Sequence, residues 1–129
     1  MRPTAALLAP LLLVACTAEQ PAPEAASASA AGTRVSCIDA TRVAGRRADG
    51  NRALVFEMND GRVFRNELQN VCPSAERASN FGTLSIDPIE ARLCRNDFIR
   101  VYDPADLPVG GIKSVARCRL GHFTHVASR

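Results

Sequence analysis

Hydrophobic positions divide the chain into three stretches of different character. Residues 5–15 form an unbroken apolar run, residues 17–33 contain no large apolar side chain, and residues 34–126 contain short segments in which apolar and polar positions alternate. Alternation with a period of two is typical of strands that are buried on one face. We therefore predict one mainly β domain over 34–126, preceded by a leader over 1–15 and a flexible tether over 16–33.

The strongest local pattern predicts a β-hairpin centred on Asn59-Asp60-Gly61. A three-residue loop, with its glycine in the left-handed conformation, pairs Phe56 with Phe64 and Leu54 with Asn66. This register places the large apolar side chains of both strands on one face. A two-residue loop would set Phe56 opposite an arginine, so burial favours the first register.

Turn signals divide the rest of the domain into brief elements. Pro73 predicts a helical turn over 72–76, and Asp87-Pro88-Ile89-Glu90 predicts a second short helix toward Cys94. Strands are predicted over 81–86, 98–102 and 113–123. The set predicts a small antiparallel β-barrel or rolled sheet with one or two short helices, and an OB-like strand order is compatible with it.

The leader has the organisation of an export signal. Arg2 supplies a positive charge, and the apolar run is shorter than the roughly 20 residues that a membrane-spanning helix needs. It ends in Leu13-Val14-Ala15-Cys16, which resembles the lipobox of bacterial lipoproteins. The resemblance implies that the Cys16 thiol carries a diacylglycerol, that the chain is cut before it, and that the new amino group is acylated. The alternatives are an ordinary secretory signal cut after Ala18 and an uncleaved anchor.

The residue after Cys16 bears on location. In lipoproteins of two-membrane bacteria, an Asp at this position favours retention in the inner membrane, and Thr17 stands here instead. The resemblance therefore implies a cell-envelope protein held by its N-terminal lipid in the inner leaflet of the outer membrane, facing the periplasm.

Four cysteines remain in the domain, at positions 37, 72, 94 and 118. An even number in an exported chain predicts two disulfides, whereas a zinc site favours close pairs that this spacing lacks. Three pairings are open. We slightly prefer Cys37 with Cys118 and Cys72 with Cys94, which would tie the opening strand to the closing one. Sequential pairing, Cys37 with Cys72 and Cys94 with Cys118, is nearly as well supported.

The four-cysteine region resembles a family of small bacterial lipoproteins of unknown function, over roughly residues 37–123. The resemblance is carried by short motifs, namely Cys37-Ile38 with Arg42, Asn66-Glu67-Leu68, Cys72-Pro73, Leu93-Cys94 with Asp97, Ile99 and Val101, and Cys118-Arg119-Leu120-Gly121 with Phe123. This chain has Arg95-Asn96 before Asp97, without the glycine expected beside the aspartate. The resemblance implies an exported lipoprotein and brings no activity with it.

Charge gives little indication of a nucleic-acid partner. The chain has sixteen basic and thirteen acidic residues, for a net charge of +3, and the acidic residues are interleaved with the basic ones along the sequence. A nucleic-acid site needs clustered basic residues, so none is predicted. Arg42, Arg46 and Arg47 could form a small patch for lipopolysaccharide or an acidic partner, although a solvated strand face is the simpler interpretation.

Candidate catalytic and metal-binding residues are few. His122 and His125 are the only histidines, and on a strand residues three apart point to opposite faces, so we predict no metal site. We expect Asp97 to cap a turn with its side-chain oxygen. These expectations favour a non-catalytic binding or structural module without a cofactor, with an envelope protein as partner. The alternatives are an inhibitor of a periplasmic or host hydrolase and an enzyme that uses Asp97, His122 and His125.

Overall fold

The structure is a computed structural model and describes residues 31–79 and 84–127. Within these ranges the chain forms ten strands, one α-helix and two 3₁₀ turns, in the order β1 (Arg34–Val35), β2 (Cys37–Asp39), a 3₁₀ turn (Ala40–Arg42), β3 (Val43–Asp49), β4 (Ala53–Met58), β5 (Val63–Glu67), α1 (Pro73–Ser79), β6 (Ser85–Asp87), β7 (Arg92–Cys94), β8 (Phe98–Tyr102), a 3₁₀ turn (Gly111–Ser114), β9 (Arg117–Arg119) and β10 (Phe123–Val126).

The strands form three antiparallel sheets. The largest has the order β1-β10-β5-β4-β3, the second is the pair β2-β7, and the third has the order β6-β8-β9. A mainly β fold with antiparallel sheets is therefore confirmed. No ladder among the described residues joins the edge strands β1 and β3, so the sheets stay open and do not close into a barrel of OB-like or other kind.

One hydrophobic core is shared by all three sheets. The rings of Phe56 in β4 and Phe123 in β10 lie with their centroids 5.7 Å apart. The same buried cluster includes side chains from β2, β6, β7, β8 and β9. The fully buried members with less than 2% exposure include Leu54, Ile86, Ile99, Leu120 and Val101. Burial of such side chains contributes about 1.5–3 kcal/mol each, so the shared core holds the three sheets together.

The hairpin has the predicted register. Phe56 lies opposite Phe64, and Leu54 lies opposite Asn66. Gly61 in the loop has a φ of 86°, in the left-handed region that favours glycine. The loop is closed by a hydrogen bond from Gly61 N to Met58 O, so both the turn type and the register predicted from burial are confirmed.

The two predicted helices have different outcomes. The helical turn after Cys72 is confirmed, because α1 begins at Pro73. The helix predicted from Asp87 toward Cys94 is wrong: Asp87 ends strand β6 and pairs with Arg100, and Arg92–Cys94 pairs with β2. Ladder hydrogen bonds to two different partner strands outweigh the local capping signal. Of the strand predicted over 81–86, residues 81–83 lie outside the described residues and the rest falls partly in β6.

The single strand predicted over 113–123 is also wrong. Residues 111–114 form a 3₁₀ turn, and two short strands, β9 and β10, belong to different sheets. The break between them is stabilised by the buried Asn66, whose side chain accepts a hydrogen bond from Gly121 N and donates one to Gly121 O, both 2.9 Å long. An amide side chain thus replaces a strand partner at the point where the chain crosses from one sheet to the next.

Two disulfides form, and both favoured pairings are wrong. Cys37 is bonded to Cys94 and Cys72 to Cys118, with Cα separations of 4.0 and 5.5 Å. Cys37 lies directly opposite Cys94 in the β2-β7 ladder, so the strand pairing brings these two cysteines together. The opening strand does pair with the closing one, but this contact is made by β1 and β10, which carry no cysteine.

The leader, Cys16 and residues 16–30 of the tether lie outside the described residues. In the part of the chain that the structure describes, no helix has the length and apolar character needed to cross a bilayer.

Candidate functional site

Asp97 is part of the turn between β7 and β8. Its Oδ2 accepts a hydrogen bond of 2.7 Å from Cys94 N, and its own backbone N–H donates to Cys94 O. Asn96, in place of the glycine expected from the family resemblance, takes the left-handed conformation with a φ of 74°. Asparagine tolerates this conformation better than most residues. The prediction that Asp97 caps a turn is confirmed, and its carboxylate serves the backbone next to the Cys37–Cys94 bridge.

One histidine lies just before the last strand, and the other lies within it. His125 is in β10, opposite Phe64, and its ring lies 5.5 Å from the Phe64 ring between centroids. His122 lies in the break before β10. Each has a buried Nδ1 without a hydrogen-bond partner among the described residues. The described residues contain no group of three or more His, Cys, Asp or Glu side chains that could hold a metal ion.

Arg42, Arg46 and Arg47 do not form a single basic patch. Arg46 lies opposite Phe56 and Arg47 opposite Val55 in the β3-β4 ladder, so the two side chains leave β3 on opposite faces. Arg42 contacts Asp60 at 3.0 Å, and Arg47 lies 3.8 Å from Glu57. The patch fails because two neighbouring positions on a strand cannot share one surface.

The arginines of the hairpin and of the strands beside it are paired with carboxylates. Asp60 accepts hydrogen bonds from the backbone N–H and Nε of Arg62 and from Arg42. The side-chain bond from Arg62 is the main reason that the pKa of Asp60 falls to about 2. On the outer face of the same sheet, Arg65 contacts Asp49 at 3.1 Å and Glu67 at 2.7 Å. This face therefore carries balanced charge.

A different arginine cluster lies on the outer face of the β6-β8-β9 sheet. Phe98 in β8 is 46% exposed, and the guanidinium carbon of Arg117 lies 4.4 Å from its ring centroid. The guanidinium carbon of Arg119 lies 5.3 Å from the same centroid. Both distances are within the range of cation–π attraction. We call Phe98, Arg117 and Arg119 the Arg–Phe face.

Three restraints fix the strand that carries both arginines. Phe98 and Ile99 of β8 pair with β9 on one side. On the other side, Asn70 accepts a hydrogen bond of 2.7 Å from Arg119 N and donates one of 3.1 Å to Arg117 O. Beneath the strand, the buried Cys118 between the two arginines is bonded to Cys72. Both edges and the inner side of β9 are thus held in place.

The Arg–Phe face has no carboxylate partner among the described residues. Neither Arg117 nor Arg119 forms an ion pair there, although Glu90 and Asp97 line the same shallow hollow as Phe98 and Arg117. The nearest ion pair on this sheet is Arg100 with Asp87, at 3.8 Å. Stacking on an aromatic ring engages the flat face of a guanidinium and leaves its in-plane N–H donors available. The face therefore presents fixed positive charge to solvent.

Sequence reasoning missed this cluster because it treated residues 113–123 as one strand. The signal was present in two short patterns. Ile99 and Val101 alternate with Phe98 along the strand and are buried, which puts Phe98 on the outer face. In the same way Arg117 and Arg119 alternate with a buried Cys118. Only the pairing of β8 with β9 brings the two patterns together.

A second open hollow lies between α1 and residues 103–116, with a volume of about 460 Å³. Its charged groups are already engaged: Arg77 contacts Asp106 at 3.2 Å, and the buried Asp103 accepts a hydrogen bond from Ala105 N. It offers less chemistry than the Arg–Phe face.

Comparisons of this chain with protein-family models, with curated proteins and with solved structures found no match.

Proposed function

We propose that the chain is a lipid-anchored protein of the bacterial cell envelope whose domain is a non-catalytic module that binds another envelope component. The observation that carries the binding role is the Arg–Phe face, a rigid, exposed, positively charged surface without a carboxylate partner in the described part of the chain. A second observation favours a non-catalytic module: the carboxylate of Asp97, one of the candidate catalytic groups, accepts a hydrogen bond from the backbone of Cys94.

The anchoring role is supported by the lipobox-like Leu13-Val14-Ala15-Cys16 and by the disulfides. The domain has two disulfides. Disulfides persist in oxidising compartments such as the periplasm and are rare in the cytosol, so these two support a location outside the cytosol. With two or more acyl chains on Cys16, each buried methylene contributes about 0.8 kcal/mol, which is enough for stable attachment. Thr17 favours the inner leaflet of the outer membrane, and membership of the four-cysteine lipoprotein family belongs to the same proposal.

Metabolic labelling with a fatty acid tests the anchor. We expect label on the wild-type chain and in the outer-membrane fraction, and none on Cys16→Ser. Thr17→Asp is the matched control, because it keeps the lipid and should move the chain to the inner membrane. A processed chain that begins at residue 19 and carries no lipid would contradict the proposal.

Photo-cross-linking in intact cells tests the binding role. A cross-linking amino acid at Glu90 lies beside the Arg–Phe face, and one at Ala44 lies on the outer face of the five-stranded sheet. We expect a reproducible envelope neighbour from at least one of these positions. A chain that is anchored normally and captures no neighbour at either position would contradict a binding module.

A further inference from the structure

We propose that the Arg–Phe face binds an acidic segment of a partner protein, with side-chain carboxylates on Arg117 and Arg119 and an apolar contact on Phe98. This inference rests on the proposed function, since it names the chemistry of the partner that the module would bind. It assigns the site to the β8-β9 pair and not to the Arg42, Arg46 and Arg47 region.

The first step concerns hydrogen-bonding capacity. A guanidinium has five N–H donors in a planar fork that matches a carboxylate in two-point contact. In Arg62 and Arg65 these donors are directed at Asp60, Asp49 and Glu67. In Arg117 and Arg119 the side-chain contacts within the described ranges are with the Phe98 ring, and no side-chain hydrogen bond or ion pair there engages their N–H donors. These donors are therefore available to an acceptor on another molecule.

The second step concerns order. Long arginine side chains lose rotamer freedom when they bind, which costs about 0.5–1.5 kcal/mol for each side chain that is immobilised. Here the ring of Phe98 already restricts both guanidinium groups, and Asn70 and the Cys72–Cys118 bridge restrict the backbone beneath them. Part of the ordering cost is met in the free domain, so a partner gains more from the same contacts.

The third step concerns the shape of the partner. Arg117 and Arg119 leave the same face of β9 two residues apart, which corresponds to about 6.6 Å along a strand. Carboxylates on alternate residues of an extended chain have the same spacing. The free edge of β9 is occupied by Gln69 and Asn70, so a partner cannot add as a further strand there and must lie across the face.

The fourth step separates a protein partner from a membrane surface. Each arginine near an anionic bilayer contributes only about 1 kcal/mol without fixed geometry, and two of them give a weak attraction. Arginine beside an exposed aromatic ring is the composition found at the centre of protein interfaces. The rigid spacing of this face favours a partner with equally defined carboxylate positions.

The direct test uses the full chain carrying Cys16→Ser and a synthetic probe peptide of alternating Glu and Thr, followed by NMR of backbone amides and arginine Nε–H groups. We expect saturable shifts at Phe98, Arg117 and Arg119 that weaken as salt is raised. Arg117→Gln with Arg119→Gln should weaken binding about tenfold, which corresponds to about 1.4 kcal/mol. A matched peptide of alternating Gln and Thr should give no shifts at this face.

Two further variants keep the test decisive. Arg62→Gln with Arg65→Gln removes the same charge from the other sheet and should change binding less than twofold. Arg117→Lys with Arg119→Lys keeps the charge but loses the planar fork, and should lie between wild type and the glutamine variant. Equal weakening by the Arg62 and Arg65 pair, or equal binding of the Gln peptide, would overturn the proposal. Binding to phosphatidylglycerol vesicles through Arg117 and Arg119, without peptide binding, would overturn it in favour of a membrane surface.

The in-cell experiment distinguishes this inference from the proposed function. A neighbour captured from Glu90, cross-linked through an acidic segment and lost in the Arg117→Gln, Arg119→Gln chain, supports both. Neighbours captured from Ala44 alone would overturn the inference and leave the binding module standing. An anchored chain without neighbours at either position would overturn both.

Discussion

The two larger sheets of this domain use the same residue type in opposite ways. In the five-stranded sheet, Arg62 and Arg65 contact carboxylates at 2.8 and 2.7 Å, and the surface is nearly neutral. In the three-stranded sheet, Arg117 and Arg119 contact an aromatic ring and have no carboxylate partner in the described ranges. An exposed ion pair satisfies its own charges, whereas a stacked arginine keeps its charge and donors available to another molecule.

The comparison shows why counting charges along the chain is a poor guide to a binding surface. Arg46 and Arg47 are adjacent in sequence and lie on opposite faces of one strand. Arg117 and Arg119 are separated by a cysteine and lie on one face. The strand period decides which charges share a surface, and the neighbouring strand decides whether they are neutralised.

The largest expected effect comes from removing the bridge beneath the Arg–Phe face. Cys72→Ala with Cys118→Ala opens a link between residues 46 apart, and we expect a loss of about 2–4 kcal/mol in the free energy of unfolding. Cys37→Ala with Cys94→Ala is the matched control, with a separation of 57 and a similar expected loss. Denaturant titration measures both.

The location of the two bridges makes this prediction specific. Only the Cys72 and Cys118 variant should disturb the arginine Nε–H signals of Arg117 and Arg119 in the folded state. If the Cys37 and Cys94 variant disturbs them to the same extent, the bridge does not position this face and the comparison between the sheets loses one of its supports.

The second effect concerns Gly121, where the chain crosses from the three-stranded to the five-stranded sheet. A Cβ at this residue would overlap the carbonyl oxygen of Glu67. We expect Gly121→Ala to destabilise the domain by about 3 kcal/mol, because backbone atoms on both sides must move. Thermal unfolding measures the loss.

Gly50 provides the control for this substitution. Its φ is 68° but a Cβ there would meet nothing within 4 Å, so Gly50→Ala should cost only about 1–2 kcal/mol through the left-handed backbone. If the two substitutions are equally costly, the close approach of Gly121 to Glu67 does not hold the sheets in register.

Local signals predicted the parts of the fold that local interactions decide. The hairpin register followed from the burial of Phe56 and Phe64, and the start of α1 followed from Pro73. The turn cap by Asp97 followed from a short polar side chain between a cysteine and a strand. In each case the deciding partner lies within about ten residues, so the sequence pattern contains both sides of the interaction.

The parts that failed depend on partners far along the chain. The cysteine pairing follows from β2 joining β7, and the break after β9 follows from Asn66 bonding to Gly121 across 55 positions. The spacing of apolar residues cannot reveal that an amide side chain takes the place of a neighbouring strand as hydrogen-bonding partner. The Arg–Phe face was missed for the same reason, because Phe98 and Arg117 become neighbours only through the β8-β9 ladder.

A smaller effect should follow from removing the clamp on the outer edge of β9. Asn70→Ala loses the hydrogen bonds to Arg119 N and Arg117 O, and we expect a loss of about 1 kcal/mol. Hydrogen exchange at the Arg119 amide should become faster than exchange in the five-stranded sheet. Asn51→Ala, in the exposed turn between β3 and β4, is the control and should leave this amide unchanged. An unaltered exchange rate in the Asn70 variant would show that β8 alone holds the strand.

The smallest effect separates the two sheets by their response to acid. Hydrogen bonds from Arg62 lower the pKa of Asp60 to about 2 from its usual 3.8. Because the folded pKa lies below the unfolded one, the ionised carboxylate stabilises the domain fully above about pH 4, and this contribution is lost as the pH falls through the range toward 2. Asp60→Asn should therefore lower stability at neutral pH and reduce its decline between pH 4 and 2, as measured by urea unfolding midpoints. The control is Arg117→Gln with Arg119→Gln, which should leave the shape of that acid decline unchanged, since no carboxylate of the described chain pairs with these two arginines. A change in the shape of the stability curve of this variant would mean that an acidic group neutralises the Arg–Phe face. The contrast between the two sheets would then disappear.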